Sequence, residues 1–334
     1  MSDHAELQAK QWDRRIERAG LLASQYSFAR ELLVFYAELT IFQKGLYLDL
    51  HSSCAPEGAE KRYSGPPKDG ASAPPRRRPN HKLLNVLGER FLAGLKPRPS
   101  RARLNTFSEA CTAAGNDGVL PLELERLNLS FLMPRFPSFL SMLERKAPAA
   151  LGGFARALAD RGPDAWTQVL ASVHCRDEPE PSSLASFERF CSRAFLQPTM
   201  EYLARRASLT PPAVRLPICP FCGSKPVVGV LRPEGEGAKR SLICALCRTE
   251  WDYVRLTCPA CEESREERLC VYTTPQFEHV RVEACGTCRA YLKTIDLTRS
   301  GLAVPEVDEL AAVPLTLWAD EHGYRKLTRN VLGL

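Results

Sequence analysis

The sequence predicts an α+β chain: a multi-helix N-terminal domain over residues 1–209, two tandem small β-rich four-cysteine modules over 210–256 and 257–334, and a C-terminal helix closing the second module. Three observations predict this. Apolar residues recur at three- and four-residue intervals through the first half. After Leu209 prolines end the helical pattern and short β-prone runs replace it. Four CxxC pairs then fall within one stretch, from Cys219 to Cys288.

The totals set the frame. With 334 residues, 44% of them hydrophobic and 25% charged, the chain is long enough for two or three domains and a sizeable core. It contains no run of about 18 apolar residues, so no membrane span is expected. The opening MSDHAELQAKQWDRRIERAG pairs Arg14 with Arg15 but lacks the apolar stretch and cleavage site of an export signal, so a cytoplasmic location is expected. Thirteen cysteines in a reducing compartment read as metal ligands or reactive thiols before they read as disulfides. The net charge of +6 reads as a mildly basic surface.

From Ala5 to about Leu50 the pattern is helical, with Trp12 and Ile16 leading into Phe28, Leu32, Phe35, Leu39, Phe42 and Leu46 as a core-facing stripe. Residues 52–82, rich in Pro, Gly and charge and containing the PPRRRP tract, read as a flexible surface loop. Helical pieces resume with KLLNVLGERFLAGL, SRARLNTFSEACTAAG, LPLELERLNLSFL, PSFLSMLERKAPAALGGFARALAD and PDAWTQVLASV, as expected of a helix bundle. The last helix of this half puts Leu184, Phe187, Phe190, Ala194 and Phe195 on one side, and Pro198 near its middle predicts a kink or a junction. Cys54, Cys111, Cys175 and Cys191 have no partner at ligand spacing; Cys111 and Cys191 read as small buried hydrophobes, and the His174–Cys175 neighbour pair is too weak a signal for a site.

Beyond Leu209, KPVVGVL, RSLIC, WDYVRL, RLCVYTT, EHVRVEAC and RAYLKTIDL read as strands. The CxxC pairs are Cys219 with Cys222, Cys244 with Cys247, Cys258 with Cys261, and Cys285 with Cys288. Twenty-one residues separate the first two pairs and 23 the last two, against ten between the inner ones, which is the mark of a duplicated two-knuckle ribbon. A CxxC turn aims two sulfurs at one point, and a second knuckle across a hairpin completes a tetrahedron. The predicted metal sites are therefore Cys219, Cys222, Cys244 and Cys247 in one, and Cys258, Cys261, Cys285 and Cys288 in the other. A cross-braced pairing of the first and third knuckles uses the same spacings, but sequential pairing closes each hairpin locally at lower entropic cost. Four thiolates accept zinc or a single iron in nearly the same geometry, and the spacing does not choose.

Gly223, directly after Cys222, suits the positive φ of such a turn. Cys270 has no spacing partner and reads as a neighbour, not a ninth ligand. No CxxC opens an amphipathic helix after a parallel strand, which disfavours a thioredoxin-type dithiol. From Arg215 to Lys293 twelve basic residues face ten acidic ones, so the ribbons lack the footprint that phosphate contacts require.

CPFCGSKPVVGVL, LICALCRTEW, LTCPACEE, VEACGTCRAYLKTIDL and DELAAVPLTLWADEHGYRKL together resemble the FdhE family, accessory proteins for making active respiratory formate dehydrogenase. The resemblance runs from about Phe187 to the C-terminus, including RAFLQPTMEYLA; the first half agrees only in helical character, and the 52–82 loop looks like an addition. It implies two rubredoxin-like modules of the zinc-ribbon kind, each with a mononuclear iron, zinc being the alternative. It also implies a non-catalytic assembly factor in the cytoplasm that binds the catalytic subunit of formate dehydrogenase before or during export. The sequence offers no phosphate-cradling loop and no nucleophile with a base at recognisable spacing, in keeping with a protein that is not an enzyme. The rival readings are an iron-dependent electron carrier acting in maturation and, behind it, a zinc-ribbon nucleic-acid binder. Outside the knuckles, Asp296, Asp308 and Glu309 are expected to serve structure ahead of partner contact. Trp318 and Tyr324 are expected to anchor the C-terminal helix, and His279 and His322 to sit on the surface or in packing.

Overall fold

The computed structural model describes residues 3–53, 131–171, 182–207 and 216–334, with side chains from residue 9 onward and without that of Ser53. Most of the 52–82 loop, the helical pieces between 82 and 130, and Cys54, Cys111, His174 and Cys175 lie outside the described residues.

The N-terminal helical pattern divides at Tyr26 into α1 (Asp3–Gln25) and α2 (Arg30–Ser53), joined by one 3-10 turn. Then come α3 (Phe136–Lys146), α4 (Ala149–Asp160), α5 (Gly162–Ala171) and the long α6 (Ser183–Arg206). Ser182 caps α6 by accepting from the Ala185 amide, the expected use of serine at a helix start. Phe35, Leu39 and Leu46 are buried as the periodicity requires, but Leu33 and Tyr36 replace Leu32 and Phe28, and Phe28 is 51% exposed. The break at Tyr26 resets the helical phase, so a stripe read straight through it drifts off the core by its first residues. On α6, Phe187, Phe190, Ala194 and Phe195 are buried and Leu184 is exposed in the first turn.

Pro198 lies inside one continuous helix. Lacking an N–H, it leaves the Ala194 carbonyl four residues back without its helical donor. The buried Gln43 of α2 supplies one, its Nε2 donating to Ala194 O over 2.7 Å. The same residue reaches Gln197 at 3.4 Å, and Gln197 Nε2 in turn donates to Ala245 O of the first ribbon over 3.2 Å. The proline that predicts a break thus marks where a polar chain crosses from helices to ribbon.

The ribbons form β1 (Pro226–Glu234), β2 (Gly237–Cys244), β3 (Glu250–Asp252), β4 (Leu269–Thr273), β5 (Val280–Cys285), β6 (Ala290–Asp296) and β7 (Arg325–Lys326). Each module runs knuckle, strand, strand, knuckle, strand, which is the duplication seen in the spacing. The two do not stay separate: the sheet order is β3-β2-β1-β6-β5-β4, with β7 beside β6. Neighbours are antiparallel within a module, and the seam between β1 and β6 is parallel, with Gly229 opposite Thr294. A Cβ at Gly229 would collide with Thr294 Oγ1, so glycine lets the modules close into one sheet. This junction pairs residues about 65 positions apart, which is why local patterns suggest two units where the fold has one surface.

The single C-terminal helix expected from the sequence is two short ones, α7 (Pro305–Ala311) and α8 (Val313–Glu321), broken at Ala312. Gly323 at φ 71° ends the second, near the position expected for the end of the helix. Trp318 packs on Tyr272 with ring centroids 4.6 Å apart, and the Tyr324 and Tyr272 hydroxyls are 3.0 Å apart, so both aromatics anchor α8 to β4. Among the described residues no helix is long and apolar enough to cross a membrane.

Candidate metal centres

Each knuckle is built the same way. The first cysteine's amide donates to the carbonyl five residues on, at 2.8 Å from Cys219 to Ser224, 2.9 Å from Cys244 to Thr249 and 2.9 Å from Cys258 to Glu263. The residue after the second cysteine turns back through positive φ, and its amide donates to the first cysteine's carbonyl in the Gly223, Glu262 and Arg289 knuckles. Its φ is 71° at Gly223, 58° at Arg248, 59° at Glu262 and 62° at Arg289. The left-handed turn expected at Gly223 therefore recurs four times, three times without glycine. Inside the turn, amides aim at sulfur: those of Phe221, Leu246 and Ala260 reach the Sγ of Cys219, Cys244 and Cys258 at 3.3–3.4 Å.

The structure brings together the eight predicted cysteines as two sets, Cys219 with Cys222, Cys244 and Cys247, and Cys258 with Cys261, Cys285 and Cys288. All sulfurs of a set lie within 4.8 Å of one another. The first set has sulfur–sulfur distances of 3.4–3.5 Å, from Cys222 to Cys244 and from Cys219 and Cys222 to Cys247. In the second, Cys258 to Cys288 and Cys261 to Cys285 are each 3.7 Å. A tetrahedron of sulfurs about 2.3 Å from a central ion has edges of about 3.8 Å, and a disulfide is about 2.05 Å. The sets therefore have the dimensions of ion cages, and either could hold a metal ion. Sulfur-only donors suit zinc or a single iron and not the hard oxygen-seeking cations.

The thiols of a set do not ionise alike. Hydrogen bonds from Cys219, Cys244 and Cys247 hold Cys222 well below the usual thiol range, while burial pushes Cys244 and Cys247 up. In the second set burial opposes ionisation of Cys285, but backbone donors from Cys288 and Thr287 outweigh it and hold the thiol down; burial pushes Cys258 and Cys288 up. Cys222 and Cys285 are thus the ready thiolates, while Cys244, Cys247, Cys258 and Cys288 are the ones whose ionisation a bound cation would favour.

Residues beyond the ligands were missed by the spacing argument. Ser224 Oγ lies 3.4 Å from Cys222 Sγ and Thr249 Oγ1 3.1 Å from Cys247 Sγ. Both hydroxyls stand two residues after the second cysteine, so CPFCGS and CALCRT carried the signal. In the second module that position holds Glu263, which accepts from Thr287 Oγ1 over 2.7 Å and so ties its two knuckles together. Cys270 lies on β4 outside both sets and is partly exposed, and Cys191 is buried in α6.

Buried charge ties the N-terminal helices to α7. Arg15 stacks over Trp12 and donates to Glu201 at 2.9 and 3.1 Å and to Glu306 at 2.6 Å. Arg18 and His279 both bind Asp308. Glu309 binds Lys293 at 2.9 Å, with Lys326 and Asn330 beside it. Asp308 and Glu309 are thus structural acids and His279 a packing histidine; Asp296 closes a turn onto Thr298, and His322 stacks on Trp318.

The model of the FdhE central domain matches residues 218–255, and that of the FdhE C-terminal domain matches residues 256–332. A protein FdhE homolog of Aquifex aeolicus is 36% identical over 147 residues, 43% of this chain and 52% of its own length. Another from Pseudomonas putida is 36% identical over 138 residues, 39% of this chain and 42% of its own length. The chain thus matches about half the length of these relatives. In fold, the crystal structure of the FdhE protein from Pseudomonas aeruginosa is similar at a TM-score of 0.60 and 23% identity, over 97% of this chain and 95% of that one. The two domain matches lie end to end over residues 218–332, the stretch that builds both four-cysteine sets, and over that stretch the chain is similar to the FdhE family.

Proposed function

We propose that this chain is a non-catalytic accessory factor for the maturation of respiratory formate dehydrogenase. It works in the cytoplasm by binding the enzyme's catalytic subunit before or during export. Its eight knuckle cysteines, Cys219, Cys222, Cys244, Cys247, Cys258, Cys261, Cys285 and Cys288, hold two mononuclear metal ions, iron or, as the alternative, zinc. The observation that carries this is the pair of closed four-sulfur cages in a chain similar to this family. A closed four-thiolate site leaves no open coordination position for a substrate, in keeping with a binding role. A bound ion would supply folding energy and, if iron, one reversible electron. The protein's own residues do the rest: backbone amides aim at the sulfurs, and the Arg15, Glu201 and Glu306 cluster ties α1 and α6 to α7.

The test is affinity purification of the tagged full chain from a cytoplasmic fraction prepared without oxygen. The catalytic subunit should copurify with a chain carrying about two metal ions, and its absence under conditions where the chain is folded and loaded would sink the reading. Electron transfer is the second reading, favoured by Cys261 being exposed and Cys288 partly so. A reversible one-electron redox titration of the iron-loaded chain would support it, and a redox-silent ion would exclude it.

A further inference from the structure

Beside the second four-cysteine set lies a cavity of about 150 Å³ that no ligand cysteine needs for its own geometry. Its walls are mixed in an ordered way. Leu256, Leu269, Val271 and Leu292 supply an apolar body, with the flanks of Cys258 and Cys285 at one side. Leu256 and Val271 are each 53% exposed, so the cavity opens at the surface beside β4, which is the edge strand of the sheet.

Three guanidinium groups, those of Arg240, Arg255 and Arg281, also line the cavity, with Glu283 as the one carboxylate among its lining residues. Glu283 is shared: Arg240 reaches its Oε2 at 2.6 Å, and Arg281 Nε lies 3.4 Å from its Oε1 without making a hydrogen bond. Arg240 is almost wholly buried; its Nη1 donates to Val254 O and Thr257 O at 2.9 and 3.2 Å, and its Nε alone lacks a partner. Arg255 is exposed, Asp296 acts on Arg281 beside Glu283, and the buried Nε groups of Arg240 and Arg281 are left without acceptors, which is costly.

We propose that this cavity binds a compact carboxylate with an apolar body. The volume matches a single aromatic ring, since a cavity of about this size accommodates benzene. The anion completes the arginine cluster, and the apolar wall takes the ring. The chemistry is met equally by a free small acid and by the C-terminal residue of a protein chain.

The probe is benzoate, titrated into the full metal-loaded chain by calorimetry alongside benzyl alcohol and acetate. Benzoate is expected to bind saturably, about ten-fold or more tightly than either half-match, because charge-assisted pairing and ring burial both contribute. Arg281→Gln should weaken it about ten-fold, whereas Arg14→Gln, outside the cavity, should leave it unchanged. If Arg281→Gln fails to fold, Val271→Trp at the exposed mouth should block binding with the fold intact. Acetyl-glycyl-phenylalanine binding more tightly than benzoate assigns the site to a chain terminus, and more weakly to a free acid. Absence of saturable benzoate binding, parity with benzyl alcohol, or indifference to both Arg281→Gln and Val271→Trp would overturn the proposal.

Discussion

The two four-cysteine sets share a knuckle, a spacing and a strand plan, yet they sit in different environments. All four cysteines of the first are buried, and they belong to the same apolar core as Trp12, Tyr47, Phe195 and Tyr202 of the helices. In the second, Cys261 is exposed, Cys288 is half-buried, and none of the four belongs to either apolar core. The lesson is that a duplicated ligand set need not be a duplicated role. An ion buried in the main core is coupled to the folding of everything packed around it, whereas one at the surface is coupled to its own hairpin and to whatever approaches from solvent.

The sharpest way to break this comparison is to remove one ligand from each set. Cys244→Ala should lose the first ion and open a gap in the shared core, costing several kcal/mol and lowering the cooperative melt of the helices. Cys261→Ala should also lose one ion but leave the helical melt within about 1 kcal/mol, since its side chain faces water. Metal content and thermal unfolding followed by circular dichroism read both. Equal losses of stability would mean that burial does not separate the two sets.

Next in size is the charge cluster beside the first set. Arg15→Met leaves Glu201 with Arg205 alone and strips Glu306 of its hydrogen-bonded partner, a change that costs about 3–5 kcal/mol when a buried pair is broken from one side. Denaturant unfolding should show that loss, while the exposed pair Arg156 with Glu144 should contribute less than about 1 kcal/mol to the same measurement.

Acid should separate the sets again. Burial opposes ionisation of Glu201, Glu306 and Glu309, but Arg15 and, for Glu309, Lys293 outweigh it, so all three carboxyls are held below the ordinary 4.5, Glu309 at about 2. A depressed carboxyl contributes stability that is complete above its unfolded value and is lost as pH falls through the folded one. The fold should therefore hold down to about pH 4.5 and weaken from there toward 2. The second ion, with Cys261 open to protons and solvent, should leave before the first. Metal release and circular dichroism measured along one pH series test the order, and simultaneous release of both ions would contradict it.

These differences were unevenly written in the sequence. The grouping of the eight cysteines into two sets was legible because a CxxC knuckle is local: its geometry needs a fixed spacing, and spacing survives without a fold. The buried face of α2 was half legible, since periodicity finds a stripe but cannot choose between Leu32 and Leu33 once the phase resets at Tyr26. The clusters' unequal exposure was not legible at all. It depends on the first set packing into one core with Trp12, Tyr47, Phe195 and Tyr202, far away in the chain, and neither side of such a contact carries a mark of the other. Arg14 and Arg15 look alike in a helical pattern; one is exposed and the other is buried against Trp12.

The smallest effect comes from the turn that closes each knuckle. The first set has glycine at one of its two left-handed positions, Gly223, and Arg248 at the other; the second has Glu262 and Arg289, with no glycine at either. A side chain there costs about 1–2 kcal/mol, and a glycine in its place returns about 0.5–1 kcal/mol of that to the unfolded chain's freedom. The Glu262 side chain is exposed and makes no hydrogen bond or ion pair among the described residues, so Glu262→Gly, which keeps the amide bond to Cys258 O, should stabilise the second module by up to about 1 kcal/mol. Arg289→Gly relieves the same turn but removes a guanidinium that donates to Gly323 O and His322 O and stacks 3.9 Å over Tyr324, so it should destabilise instead. Opposite signs from one substitution at two equivalent turns would locate the second module's rigidity in the side chain that reaches α8. Matching signs would return it to the turn itself.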